Sequence, residues 1–192
     1  IIVTEVMIYG DALIPQWIEL HNPSMQSVSI AGWELKIDKG IDEKGIVHIF
    51  DKANGNTDVP SGGYLVLGGS PDVGKTGGVK VDYVFNSPGK VIFFNLSGEA
   101  ITLTDPKGGY VPGNAYAHDT ITFKYAAEMS GKALQLDPKN LSTIDNDEPQ
   151  YWCLAATPIA AGNLRKCGKH MAAAEVVGYD YNVTFVNNNG DV

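Results

Sequence analysis

Trp17-Ile18-Glu19-Leu20-His21-Asn22-Pro23-Ser24, followed shortly by Ile30-Ala31-Gly32-Trp33-Glu34-Leu35, reads as two strands and a turn. In the first segment Trp17 and Glu19 alternate with Ile18 and Leu20, the period of two that sends successive side chains to opposite faces of a sheet. Asn22-Pro23-Ser24 ends that strand, because proline fixes its own φ and offers no backbone donor to a ladder. In the second segment Ile30, Trp33 and Leu35 are apolar around Gly32, which permits a bend or bulge. Two tryptophans this close in the chain are expected to fill the middle of a small sandwich core.

Working outward, the same strand-and-turn grammar recurs. Val3-Thr4-Glu5-Val6-Met7 precedes the opening stretch, and Pro60-Ser61-Gly62-Gly63-Tyr64-Leu65-Val66-Leu67-Gly68 and Glu99-Ala100-Ile101-Thr102-Leu103-Thr104-Asp105 follow it. In this order, with Gly32-Trp33-Glu34-Leu35 between them, the motifs resemble a lamin tail domain of the bacterial, secreted kind. The likeness continues through Gly131-Lys132-Ala133-Leu134-Gln135 and Trp152 to Thr157-Pro158 and Gly162-Asn163, covering about residues 1–163. The resemblance implies an all-β, immunoglobulin-like β-sandwich that binds or scaffolds and carries no catalytic machinery. It implies no particular ligand, since the family shares none.

Composition agrees with many short strands. The chain has 192 residues, 44% of them hydrophobic, with 22 glycines and 10 prolines as punctuation. That length predicts one domain with an appendage: a sandwich over residues 1–163 and a tail over residues 164–192 ending in a strand. A formal charge of −8 runs against the basic face that nucleic-acid binding needs. No apolar run approaches the ~20 residues that span a bilayer. The start at Ile1-Ile2-Val3, without an initiator methionine, fits a leader already removed, although a truncated start reads the same. Cys153 and Cys167 are the only cysteines. An even number close in sequence suits a disulfide in an oxidising compartment, against the alternative of two free thiols. A secreted or cell-surface location is therefore expected.

Further strands are expected at Ile1–Ile8, Ile46–Phe50, Val79–Phe85, Val91–Leu96, Ala100–Thr104 and within Tyr116–Tyr125. Residues 126–163 read as a long connection closing the sandwich around Leu134, Leu136 and Trp152. Met171–Val177 reads as a short helix, and Tyr181-Asn182-Val183-Thr184-Phe185-Val186 as an alternating strand.

The motifs with chemical content lack their context. Gly69-Ser70-Pro71-Asp72-Val73-Gly74-Lys75-Thr76 fits the phosphate-loop spacing, but a glycine pair and a strand-like run follow where a helix must open. Asn54-Gly55-Asn56-Thr57-Asp58 begins like a calcium loop and then places Val59 and Leu65 where glycine and glutamate belong. The acidic run holding Asp145, Asp147 and Glu148 supplies the remaining calcium candidates, by ligand type alone. His21, His48, His118 and His170 are scattered, and none belongs to a His-Glu-x-x-His helix. Glu5 and Glu19 interrupt apolar strands and are expected to face outward or to fix strand order by hydrogen bonds.

Two functional classes follow, and the chain is not expected to be an enzyme. The first is a structural or adhesive module that self-assembles into surface filaments, its tail pairing with the sheet edge of a neighbouring copy through Val176, Tyr179, Tyr181, Val183 and Phe185. The competing arrangement folds that tail back onto its own sheet, pinned by Cys153 and Cys167. The second class is a monomeric module that binds an extracellular glycan or protein with loop aromatics such as Tyr9, Tyr110 and Tyr116. No cofactor is expected beyond the calcium candidates.

Overall fold

Along Trp17–His21, Ile18 and Leu20 point to one face of a sheet and Trp17, Glu19 and His21 to the other, and the neighbouring strands repeat this division. The computed structural model describes residues 1–7, 16–38, 46–73, 79–85, 99–106, 117–123 and 133–154. Among these residues there are twelve strands and no α-helix. The strands are β1 (Ile2–Met7), β2 (Trp17–His21), β3 (Val28–Ser29), β4 (Glu34–Asp38), β5 (Ile46–Ile49) and β6 (Asp58–Val59) in the first part of the chain. After them come β7 (Tyr64–Gly68), β8 (Tyr83–Val84), β9 (Glu99–Thr104), β10 (Ala117–Phe123), β11 (Leu134–Leu136) and β12 (Trp152–Leu154).

They form a six-stranded sheet in the order β12-β11-β1-β2-β7-β8, a four-stranded sheet in the order β10-β9-β4-β5, and a small ribbon of β3 and β6. Val3, Val6, Ile18, Leu20, Leu65 and Leu67 from the first sheet pack against Leu35, Ile37, Ile101, Leu103 and Ile121 from the second. Each such side chain, fully buried, contributes about 1.5–3 kcal/mol relative to exposure. The result is the all-β, immunoglobulin-like sandwich expected from the sequence. Leu136 is buried, and Leu134 and Trp152 pack against the core, but the expected connection is in part strand: β11 and β12 extend the six-stranded sheet beyond β1. The described strands run to Leu154. The expected boundary at 163 and 164, the strand at 91–96, the short helix, Cys167 and the whole tail strand lie outside the described residues.

Four local expectations need correction. Trp33 lies in the core between the sheets, but Trp17 does not; it packs with Met7, Val66, Val79 and Ala133 on the opposite face of the six-stranded sheet. Ile18 and Leu20 already fill the inward positions, so alternation forces Trp17 outward, where a second apolar layer covers it. Ile30 to Trp33 is a turn rather than a strand. The Trp33 N–H donates to Ile30 O at 2.9 Å around Gly32, whose φ of 83° is the left-handed region. Within Val79–Phe85 only Tyr83–Val84 is strand, and it runs parallel to β7. The reason is Asp82, whose carboxylate accepts from Val66 N–H at 3.1 Å while its own N–H donates to Val66 O at 2.9 Å. A side chain thus takes one place in the ladder. Finally, the stretch from Asp51 to Asp58, where no strand is expected, holds a 3₁₀ turn over Lys52–Asn54 and ends in β6.

Asn22, which the sequence marks only as a strand end, is fully buried and organises the turn that follows. Its Nδ2 donates to Gln26 O at 2.7 Å and Val59 O at 3.0 Å, and its Oδ1 accepts from Ser24 N–H at 3.0 Å and Ser24 Oγ at 2.7 Å. An asparagine with both ends satisfied can replace the backbone pairing that Pro23 interrupts.

Candidate functional site

The calcium candidates do not converge. Asp145 accepts from Ser142 Oγ at 2.8 Å while its backbone N–H donates back to that hydroxyl at 3.0 Å, closing a small turn. Asp147 and Glu148 are exposed, and partial burial together with the neighbouring Glu148 holds the Asp147 carboxyl above its usual range. Among the described residues no three His, Cys, Asp or Glu side chains are placed to hold a metal ion. The Asn54–Asp58 stretch likewise turns inward on itself, with Asn56 Oδ1 accepting from Asp58 N–H at 3.0 Å and Asn56 Nδ2 donating to Asp58 O at 3.1 Å.

The described histidines sit on three separate strands. His21 stacks on Tyr64 with ring centroids 4.3 Å apart, His48 meets Tyr83, and His118 lies 4.6 Å from the Trp33 ring. Burial lowers the pKa of His21, and more strongly that of His118, to about 4. His170, Lys75, Thr76, Tyr9, Tyr110 and Tyr116 lie outside the described residues. Gly69–Val73 continues β7 as a loop, where Asp72 N–H donates to Ser70 Oγ at 3.2 Å.

Three polar clusters are built instead, and each joins strands. The first is a row across the outer face of the six-stranded sheet, where Cys153 faces Gln135, Gln135 faces Glu5, and Glu5 faces Glu19. All four are buried, and Thr4 Oγ donates to Glu19 Oε1 at 2.8 Å. Glu5 and Glu19 therefore point away from the main core, yet not into solvent. Their side of the sheet is covered as thoroughly as the other.

The second cluster centres on Asn146, the one member of the acidic run that is buried. Its Nδ2 donates to Asp119 at 3.0 and 2.9 Å and reaches Val3 O at 3.4 Å. Asp119 in turn accepts from Val3 N–H at 2.8 Å, and Trp152 Nε1 donates to Asn146 O at 2.7 Å. Both sheets and the turn over residues 145–147 are clasped at this point. Burial pushes the Asp119 carboxyl up to about 6, against the downward pull of the Val3 and Asn146 donors. The signal that could have revealed it is an asparagine within a charged run, followed six residues later by a tryptophan whose N–H needs an acceptor.

The third cluster is the hydroxyl of Tyr83, a fully buried residue. It lies 2.7 Å from His48 Nε2, accepts from Asp51 N–H at 3.1 Å and lies 3.4 Å from Asn54 Nδ2. Phe50 and His48 pack edge-on against its ring, with centroids 5.1 and 5.6 Å away. This hub pins the turn after β5 over β8. Gly55 is required beside it: its φ is 141°, and a Cβ there would lie 2.6 Å from Asp82 O.

What the described surface leaves outward and apolar is mostly scattered in loops, as at Met25, Val73 and Ile144. Val47 and Ile49 differ. They are 50% and 58% exposed, two residues apart on one face of β5, the last strand of its sheet. Cys153 is buried on β12; Cys167 and the assembly candidates Val176, Tyr179, Tyr181, Val183 and Phe185 lie outside the described residues. No helix among the described residues is long and apolar enough to cross a membrane. The Lamin Tail Domain family matches the chain over residues 1–118. No curated protein matches the chain.

Proposed function

The chain belongs to the lamin tail domain family, and from that premise we propose that it is a non-catalytic extracellular structural module that joins to further copies of itself by β-strand addition. The observation that carries this reading is β5, an outer strand presenting Val47 and Ile49 to solvent in a sandwich whose buried polar clusters all tie strand to strand. Strand addition draws affinity from main-chain hydrogen bonds and specificity from alternate side chains, and the tail supplies a segment of that kind in Tyr181–Val186. Negative-stain microscopy of the intact chain, with its mass in solution at micromolar concentration, tests the reading. Filaments or regular large assemblies are expected. A monomer across that range would overturn self-association and leave a glycan- or protein-binding module.

Secretion goes with the proposed pairing of Cys153 and Cys167. Cys153 faces the outer side of the six-stranded sheet beside Gln135, so a bridge there tethers the start of the tail to the sandwich. The intact mass of alkylated, non-reduced protein is expected to show no modified cysteine. Two alkyl groups per chain would remove the bridge from this proposal.

A further inference from the structure

Outer strands carry rows of unpaired N–H and C=O groups, which folded proteins protect with bulges, inward charges, short length or a covering loop. Of the four outer strands of the two large sheets, three are protected in these ways. β8 has two residues, and Gly55 bridges to Tyr83 along its open side while Asn56 N–H donates to Asp82 O at 3.0 Å. β10 shifts register between Ala117 and Asp119 and buries the Asp119 carboxylate against Asn146. β12 has three residues, with the Trp152 indole fastened to Asn146 O.

β5, four residues long, carries no bulge or charge, and no described loop covers it. Ile46-Val47-His48-Ile49 contains no proline, glycine, Asp, Glu, Lys or Arg, and it pairs with β4 without a register break. Phe50 N–H donates to Trp33 O at 2.9 Å and Phe50 O accepts from Gly32 N–H at 2.8 Å, so both backbone groups of Phe50 turn toward the β4 side. In an antiparallel pair the next outward-turned residues alternate with these. The backbone groups of Val47 and Ile49 therefore face away from β4, where no described strand pairs.

We propose that β5 is the acceptor edge for residues 181–186 of a second copy of this chain, which add a fifth strand to the four-stranded sheet. This rests on the self-association reading above. Tyr181, Val183 and Phe185 alternate with Asn182 and Thr184, so one register lays Val183 and Phe185 beside Val47 and Ile49. The last described residue, Leu154, ends β12, at the opposite end of the six-stranded sheet from β8. β5 lies on the β8 side, where His48 meets the Tyr83 hydroxyl. The described chain thus ends at one edge of the sandwich, and the proposed acceptor strand is at the other. Such a contact is heterologous, and each added copy exposes a fresh β5, so assembly proceeds as an open chain.

The test uses the full-length chain and two double variants. Val47→Lys with Ile49→Lys spoils the acceptor and leaves the donor strand; Val183→Asp with Phe185→Asp spoils the donor and leaves β5. Each variant alone is expected to be monomeric by light scattering at concentrations where the parent chain assembles. Mixed in equal amounts, they are expected to form a one-to-one complex that grows no further. If the parent assembles and the Val47/Ile49 variant assembles equally well, β5 is not the acceptor, whereas self-association stands. A monomeric parent overturns both. Because Val47 and Ile49 are half exposed, the lysine variant is expected to melt within a few degrees of the parent, and a large loss there, with no complex on mixing even after stabilising osmolyte restores the fold, counts against the acceptor assignment.

Discussion

Tyr83→Ala is expected to lower the unfolding free energy by about 3–5 kcal/mol, the range for deleting a large buried aromatic ring. The ring is fully buried and packs edge-on against Phe50 and His48, so its loss leaves a cavity where the end of the four-stranded sheet meets β8. Tyr83→Phe separates the hydroxyl from the ring. It keeps the packing and removes the acceptor of Asp51 N–H and the partner of His48 Nε2. A cost of about 1–3 kcal/mol is expected for groups left without partners, less where Asp51, on an exposed turn, recovers water. Urea unfolding of the parent and both variants at one pH measures the two parts. A Tyr83→Phe variant as stable as the parent would mean that the turn after β5 is held by packing and backbone bonds alone. That outcome matters for assembly, because the same turn fixes the end of the proposed acceptor strand.

The two-sheet fold was legible from local pattern because alternation is local. Ile18 and Leu20 inward, Leu35 and Ile37 inward, and the turn chemistry around Pro60-Ser61-Gly62-Gly63 all follow from a few adjacent residues. Trp17 was misplaced because its partners, Val79 and Ala133, are distant in sequence. Periodicity says that Trp17 opposes Ile18; it cannot say that the opposite face is also dry. The same ignorance hid the burial of Glu5 and Glu19, whose alternation with apolar residues is the ordinary mark of a solvent-facing position. The parallel pairing of β8 had one local clue, Asp82 in an apolar run, and its meaning required knowing that Val66 lay beside it. Asn146 was passed over because a run of acids reads as a solvated turn. Its role depends on Asp119 and Val3, brought to it from other strands.

That clasp should be visible in the pH dependence of stability. In the folded chain the Asp119 carboxyl is pushed up to about 6, chiefly by burial, from an ordinary value of 3.8. Asp147 adds to the upward push, while Val3 N–H and the Asn146 amide oppose it. The direction of the effect follows from where the proton resides. Between pH 3.8 and about 6 the folded form keeps a proton that the unfolded chain has lost, so the unfolded state binds fewer protons and stability falls as pH rises through that window. Below it both states are protonated, and above it both are ionised, so the contribution levels off on either side. The full change is about 2–3 kcal/mol, at 1.36 kcal/mol per pKa unit. Asp119→Asn supplies the control because it cannot ionise. Its amide oxygen still serves Val3 N–H, and its Nδ2 faces Asn146, whose own Oδ1 is buried without a donor. A half-turn of the Asn146 amide lets protonated Asp119, or the asparagine, donate to that oxygen. The stability of the parent relative to Asp119→Asn is therefore expected to decline by about 2–3 kcal/mol from pH 4 to pH 7 and to change little above it. Parallel profiles for the two proteins in urea titrations across that range would show that Asp119 ionises in the clasp as it does in water.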